Sequence, residues 1–370
     1  MIGSVLVFFI VLSILIIVHE LGHFIVARKT GVMVEEFGFG LPPRLFGKKI
    51  GETIYSINAL PFGGFVRLHG ETDEESITYP GRAFLNKNKK TRAAIVVAGV
   101  IMNVLLAIVA FATLYSFTGI PRNTKDVKIV EIATESPAQT AGLVVGNIVR
   151  KVDGKVISTS DEFTVSIEQK KGKYVVLDVE SNTGGTQLTR KVTLIPRENP
   201  PEGQGPLGVT FTSTEIFYPP VWQRPFYGIY YGLKDALFWG GAVVVGLWKI
   251  VTGLFVGQVP KDVTGPVGIF AVTSQAAKVG ILAVINLVGI LSINLAILNI
   301  VPFPALDGGR LLFIAIEKAI GRKVVPRIEA VIHTVGMVIL LLLLLAITIH
   351  DVMGIIRAGS LSGFLNSVLK

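Results

Sequence analysis

The chain has 370 residues, 51% of them hydrophobic and 16% charged, with a formal net charge of +9. So few charges exclude an ordinary soluble protein of this length, and the positive excess reads as cytoplasmic loop charge on a membrane protein rather than as a nucleic-acid surface. Cysteine is absent, which excludes a disulfide framework and a thiolate zinc site and leaves His, Asp and Glu to hold any metal.

The first predicted element is an apolar helix over 3–27. Its stretch VLVFFIVLSILIIV holds fourteen residues without a charge. It lacks a basic leader and a small-residue cleavage site, and the basic pair Arg28-Lys29 follows it. The expectation is an uncleaved helix with its N-terminus outside. The run ends in His19-Glu20-Leu21-Gly22-His23, an H-E-x-x-H pattern. Residues four apart on a helix lie about 40° apart around its axis, so His19 and His23 face the same way and can share one zinc ion. Glu20 is placed to act as general base on the water that such a metal activates. Ionisable residues inside a span are costly to bury and mark function by default.

The stretch 32–70 alternates apolar residues with Gly and Pro breaks and predicts strands and tight turns packed near the membrane. A second span is predicted over 93–118. Residues about 122–214 read as a small soluble domain, with strands at VKIVEIA, NIVRKVDG, YVVLDVES and QLTRKVTLI and a helix near Ser160–Lys170. Residues 222–257 are rich in Trp and Tyr and predict a helix lying on or partly in the outer interface. A third span is predicted over 280–303 and a fourth over 330–349.

Lysine and arginine set the orientation. The 28–92 loop carries eleven of them, and the 304–329 connection carries Arg310, Lys318, Arg322, Lys323 and Arg327. Both segments are therefore expected to face the cytoplasm, with 119–279 and both termini outside. A fifth full span at 222–257 would reverse that sidedness for the second loop.

A catalytic zinc commonly takes a third protein ligand. His333 near one end of the fourth span reads as interfacial or hydrogen-bonded. His69 in the loop and His350 at the other end of that span are poor candidates. Asp307, in NIVPFPALDGG after the third span, lies at the same expected depth as His19 and His23. Pro302 and Pro304 break the helix there, and Gly308-Gly309 allow close backbone approach. Irregular backbone at membrane depth is tolerated only inside protein or beside a wet cavity. The competing reading is a helix-to-helix turn capped by Asp307.

With these motifs in place the sequence resembles the site-2 protease family of intramembrane zinc metalloproteases, in particular the bacterial regulator-of-sigma proteases. HELGH and the later N-x-x-P-x-P-x-L-D-G (Asn299, Pro302, Pro304, Leu306, Asp307, Gly308) match the two signatures of that family in order. Weaker matches are A-G-x-x-x-N in the second span (Ala98, Gly99, Asn103), GGFVRL at 63–68 and TGPVGI at 264–269. SPAQTAGLVVGNIVRKVDGKVI is similar to a PDZ domain. The resemblance implies a polytopic α-helical membrane protein with four transmembrane helices, a membrane-associated β-region and one extracytoplasmic α+β PDZ-like domain. Its divisions are 1–30, the first span with its motif; 31–92, the β-region; 93–118, the second span; 119–214, the PDZ-like domain; 215–279, the interfacial helix and linker; 280–327, the third span and following segment; and 328–370, the fourth span and tail.

The resemblance also implies a zinc-dependent intramembrane endopeptidase of a bacterial cytoplasmic membrane. Its partners are the bilayer and single-span substrates such as anti-sigma factors and signal-peptide remnants, trimmed first by an outside cut. It implies that His19, His23 and Asp307 bind zinc and that Glu20 is the base. It further implies that Asn299 helps hold the substrate or the developing oxyanion, with Pro302 and Pro304 beside it. The resemblance likewise assigns Gly63, Gly64 and Phe65 to a β-edge that receives an extended substrate, and implies that the PDZ-like domain binds a substrate C-terminus or filters by size. Two other classes fit the same scaffold. An ion-coupled transporter would use the buried His, Glu and Asp as a path, but no inverted repeat is apparent. A silent receptor or adaptor would normally have lost Glu20 or a ligand.

Overall fold

The computed structural model describes residues 2–71, 77–183, 186–201, 203–256, 265–322, 324–360 and 363. Residue 257 of the aromatic-rich stretch, Thr264 of TGPVGI, Lys323 and most of the tail beyond 360 lie outside the described residues. The chain forms two compact units, one of Met1–Phe117 with Trp222–Lys370 and one of Thr118–Val221.

In the first unit α1 (Ile2–Lys29) is apolar around its whole circumference, as suits a helix in lipid. It stops at Gly31, whose φ of 71° lets Val32 N return to Ala27 O at 2.9 Å. Two long antiparallel strands follow, β1 (Val34–Ile50) and β2 (Thr53–Leu68). Both are bent, so together they build four ladder rows. Residues 34–39 pair with 64–68 on one side and with 54–57 on the other, and 53–58 pair again with 44–50. The Gly and Pro breaks seen in the sequence are bends inside continuous strands, at Pro42-Pro43 and near Gly63, rather than separate turns. Among the described residues, 64–68 therefore form one edge of this sheet, with a ladder partner on one side only. Buried Glu36 accepts from Arg44 Nη2 at 2.6 Å and from Arg67 Nη2 at 2.8 Å, which ties the two bends together. Arg82 forks onto Glu52 at 2.6 and 2.5 Å beside the Gly51 turn, and these bonds hold the Glu52 carboxyl below the usual carboxylate range. Helix α2 (Lys89–Thr118) starts with Asn88 Oδ1 accepting from Thr91 N at 2.8 Å.

The second unit contains β3 (Ile120–Ile132), α3 (Pro137–Thr140), β4 (Ile148–Val152), β5 (Lys155–Val156), α4 (Ser160–Glu168), β6 (Val175–Thr183), β7 (Thr186–Leu194) and β8 (Val209–Phe217). The sheet is antiparallel in the order β7-β6-β4-β3-β8, with β5 on β4. The four strands read from the sequence are β3, β4, β6 and β7. β8 has no counterpart among them, because VTFTSTEIF is too polar to stand out. Helix α4 is fixed at its start by Thr159 Oγ1, which accepts from Glu162 N at 3.2 Å, and by Glu162 Oε2, which accepts from Ser158 N at 2.9 Å. It buries Phe163 and Ile167 against a core of Val127, Val149, Leu177 and Val179.

The first unit resumes with α5 (Arg224–Phe255), α6 (Pro266–Val279), α7 (Ile281–Ile300), α8 (Asp307–Ile320) and α9 (Pro326–Ala358). Among the described residues five helices are long and apolar enough to cross a membrane. The sequence predicts four, and the additional one is the stretch expected at the interface. Packing directions explain why its length need not disturb the sidedness of the rest. α1 runs antiparallel to α2, since His23 meets Ile95 and His19 meets Asn103. α7 also runs antiparallel to α2, with Gly289 under the Phe111 ring and Ser292 Oγ donating to Asn103 O at 2.8 Å. Thus α2 ends and α7 begins at the same end of the helices. α5 descends along α2, where Gly228 and Gly232 bring its backbone onto Ala112 O and Ile108 O and Tyr115 Oη donates to Asp235 Oδ2 at 2.6 Å.

A buried ion pair locks α2 to α8. Arg92 Nη1 lies 2.7 Å from Glu317 Oε2, both side chains are 2% exposed, and Lys89 Nζ donates to Glu317 O. Removing one partner leaves the other charge buried and unpaired, a cost of about 3–5 kcal/mol. Glu317→Ala is therefore expected to lower the thermal unfolding midpoint of the detergent-solubilised protein markedly, with Glu317→Gln in between. An unchanged midpoint in Glu317→Ala would show that the pair contributes nothing to the helix packing.

Candidate metal centre

The centre is assembled from α1, α2 and the turn between α7 and α8. Residues His19 and His23 project from one face of α1 toward α2, which can come close only because Gly22 faces Ala98. A Cβ on Gly22 would lie 2.3 Å from Ala98 O. The reciprocal gap is Gly99, where a Cβ would lie 2.4 Å from His23 Nε2 and 2.7 Å from His19 Cε1. The space a methyl group would take on α2 is the space the imidazoles occupy.

The carboxylate arrives from the other side. After α7 the chain turns through Pro302 and Pro304 to Ala305, whose φ of 79° lies in the left-handed region, and Asp307 opens α8. Glycines 308 and 309 are required there, because Cβ atoms would strike Val301 O at 2.0 Å and Phe303 O at 2.5 Å. The turn is also tied to α9. Ala305 N donates to His333 Nδ1 at 3.0 Å, and Pro304 fills the notch at Gly336.

These supports bring three donor atoms together. His19 Nε2 lies 3.0 Å from Asp307 Oδ2, His23 Nε2 lies 3.3 Å from the same oxygen, and the two Nε2 atoms are 3.2 Å apart. Among the described residues this is the group of His, Asp and Glu with metal-binding geometry; His69, His333 and His350 are not part of it. The fit to zinc can be tested on the triangle itself. Ligands at about 2.0–2.1 Å from a tetrahedral ion are separated by roughly 3.3–3.4 Å. The observed edges come close to that, with two imidazole nitrogens and one carboxylate oxygen, a donor set zinc accepts. His23 Nδ1 donates to Ile95 O at 2.8 Å, which leaves its Nε2 lone pair facing the group.

A cavity of about 570 Å³ opens on the cluster. Glu20 lines it beside the three donors, with Phe65 and Val66 of the sheet edge, Arg310 of α8 and His333 of α9. Gly64 passes directly over Glu20, since a Cβ there would meet Glu20 Cγ at 3.5 Å. Asn299 Nδ2 lies 3.3 Å from His19 Nε2. Of the residues singled out in the sequence, His19, Glu20, His23, Asp307, Asn299, Gly64 and Phe65 meet at this place. Gly63, Pro302 and Pro304 do not line the cavity and instead shape the backbone around it. Sequence reasoning missed Gly22, and also the ion pair of Arg310 with Glu71 at the cavity wall. Arg310 stands one helical turn after Asp307, a spacing that could have flagged it. His69 is structural, bonded to Glu35 Oε1 at 2.7 Å and accepting from Tyr79 N.

A two-histidine, one-carboxylate cluster with an adjacent glutamate, set among apolar helices, defines a membrane metallohydrolase. Residues 7–343 match peptidase family M50. A protein of Clostridium perfringens named as a candidate zinc metalloprotease is 39% identical over 342 residues, covering 92% of this chain and 96% of that one. The zinc metalloprotease RasP of Geobacillus kaustophilus is 30% identical over 94% of this chain and 97% of its own length. The regulator of sigma-W protease RasP of Bacillus subtilis is 27% identical over 95% of this chain and 98% of its own length. The chain belongs to peptidase family M50, the site-2 proteases, and is a zinc-dependent membrane metalloprotease.

The Gly99 gap gives a direct check. Gly99→Ala places a methyl group against both imidazoles, so zinc content of the purified protein is expected to drop to a small fraction of the wild-type value. Full zinc loading in Gly99→Ala would mean that the histidines do not face α2 as described.

Proposed function

We propose that the protein hydrolyses peptide bonds within the transmembrane segments of single-span membrane proteins, with His19, His23 and Asp307 holding zinc and Glu20 serving as general base. The observation that carries this reading is that one cavity holds the donor triangle, Glu20 and the free edge of a β-sheet. A transmembrane helix hides its carbonyls in intrahelical hydrogen bonds, so a substrate must unwind to be cut. The edge 64–68 offers backbone partners to the unwound segment by strand addition, and Gly64 and Phe65 place that segment over Glu20. When bound, zinc supplies Lewis-acid polarisation of the attacking water and of the scissile carbonyl. Glu20 takes the proton from the water and delivers it to the departing amine nitrogen. The Asn299 amide, 3.3 Å from His19 Nε2, is read as holding the substrate or the oxyanion that develops on the carbonyl.

Several wider features belong to the same proposal. The Lys and Arg distribution supports a multi-pass protein of a bacterial cytoplasmic membrane with 28–92 and 304–329 inside. Both termini and the Thr118–Val221 unit are then outside. That unit is read as one PDZ-like domain that binds a substrate C-terminus produced by an earlier cut. The name of the B. subtilis relative, a regulator of sigma-W protease, favours anti-sigma-type substrates, with signal-peptide remnants as a second group.

Two substitutions separate metal binding from proton transfer in proteoliposomes carrying a single-span substrate. Glu20→Gln is expected to keep its zinc and to cleave at least about 100-fold more slowly, the range general-base loss produces. Cleavage at the wild-type rate in Glu20→Gln would remove Glu20 from the role of base. Asp307→Ala is expected to lose both zinc and cleavage, and normal zinc content in that variant would show that Asp307 is not a ligand.

A further inference from the structure

The two histidines of the cluster are both supported from α2, but by different groups. His23 Nδ1 donates to a backbone carbonyl, that of Ile95. His19 Nδ1 faces a side chain, with Asn103 Nδ2 at 3.2 Å. Ile95, Gly99 and Asn103 follow one another at helical spacing of four along one stripe of α2. The stripe therefore presents a carbonyl to His23, a gap to both rings and an amide to His19.

Asn103 is 0% exposed, and its backbone oxygen accepts from the buried Ser292 hydroxyl at 2.8 Å, so α7 fixes its position. Its Oδ1 is buried without a hydrogen-bond partner. As placed, the amide NH₂ donates to Nδ1, an arrangement that goes with the ring proton on Nε2, toward Asp307 Oδ2. The tautomer that serves as a metal ligand through Nε2 has its proton on Nδ1 instead. An Nδ1–H facing an NH₂ sets donor against donor. A half-turn of the amide about its last bond exchanges oxygen and nitrogen with almost no change in the volume occupied. Oδ1 then accepts the Nδ1–H, and the orphaned acceptor gains its partner.

We propose that Asn103 is a positioning residue whose amide oxygen accepts the Nδ1–H of His19 and so fixes the ring and the tautomer that offer Nε2 to the metal. The proposal rests on the reading of His19, His23 and Asp307 as zinc ligands. Partners of this kind, bonded to the far nitrogen of a ligating histidine, are worth 10- to 100-fold in metal affinity. An asparagine suits the position because one buried amide can face either tautomer without bringing a charge into the span.

The test is zinc affinity of the purified full-length protein, measured by competition with a chromophoric chelator, with no reliance on cleavage. Asn103→Leu keeps the size and removes the acceptor, and Asn103→Asp keeps an oxygen in place. Asn103→Leu is expected to bind zinc about 10- to 100-fold more weakly, and Asn103→Asp to stay within a few-fold of wild type. If Asn103→Leu does not fold, Asn103→Ala is read in its place against Asn103→Asp. Wild-type affinity in Asn103→Leu, together with loss of zinc in Asp307→Ala, overturns the role of Asn103 and leaves the ligand reading standing. Equal weakening in Asn103→Leu and Asn103→Asp also overturns it, since the loss would then follow the amide NH₂ that both variants lack rather than the acceptor oxygen that Asn103→Asp keeps. Undiminished affinity in Asp307→Ala overturns the ligand reading itself, and the proposal with it.

Discussion

The approach of α1 to α2 at Gly22 and Gly99 is the constraint on which the site depends. A Cβ on either glycine would overlap atoms of the other helix or of the histidine rings. With both Cβ atoms absent, two imidazoles fit between the helix backbones. Their far nitrogens then reach Ile95 O and the Asn103 amide, both on α2. Association of helices in lipid gains little from burying apolar surface, so it depends on close packing and on interhelical hydrogen bonds of this kind. Here the same contact supplies both, and it also aims the Nε2 atoms at a common point.

The rest of the first unit completes and encloses that point. α7 lies along α2, parallel to α1, and delivers the chain to the turn that carries Asp307. That turn is irregular, with a left-handed Ala305 and two obligatory glycines, and irregular backbone among apolar helices needs outside partners. His333 and Gly336 of α9 provide them. The bent β-sheet closes the remaining side, with its edge row running over Glu20. Parts of the chain more than 280 residues apart thus meet in one cavity.

How much of this could be read from the sequence follows from the range of each interaction. His19 and His23 are legible because helical spacing alone sets their common face, and Glu20 because it adjoins His19 in the H-E-x-x-H pattern. Asp307 is legible one step further, through matched depth on two helices and the Pro and Gly residues beside it. Gly22 was hidden in plain view inside HELGH, since nothing local says which face of α1 must be bare. The residue pattern of 32–70 reads as β, but its two bent strands and four rows depend on pairing between residues up to 34 positions apart, such as Val34 with Leu68. Aromatic content and charge sidedness point to an interfacial position for α5. Its 32-residue length and its glycine seam against α2 are tertiary facts that neither signal contains. β8 escaped because a polar strand is held by its neighbour β3 rather than by its own pattern.

The central claim is that His19, His23 and Asp307 together surround one zinc ion, and X-ray absorption at the zinc edge tests it most directly. The chain has no cysteine, so Asp307→Cys introduces the one thiolate in the molecule. The wild-type protein should show nitrogen and oxygen neighbours at about 2.0–2.1 Å with imidazole scattering, and Asp307→Cys should show a single added sulfur at about 2.3 Å. A zinc-loaded Asp307→Cys protein with no sulfur neighbour, or a wild-type shell without imidazole, would contradict the account.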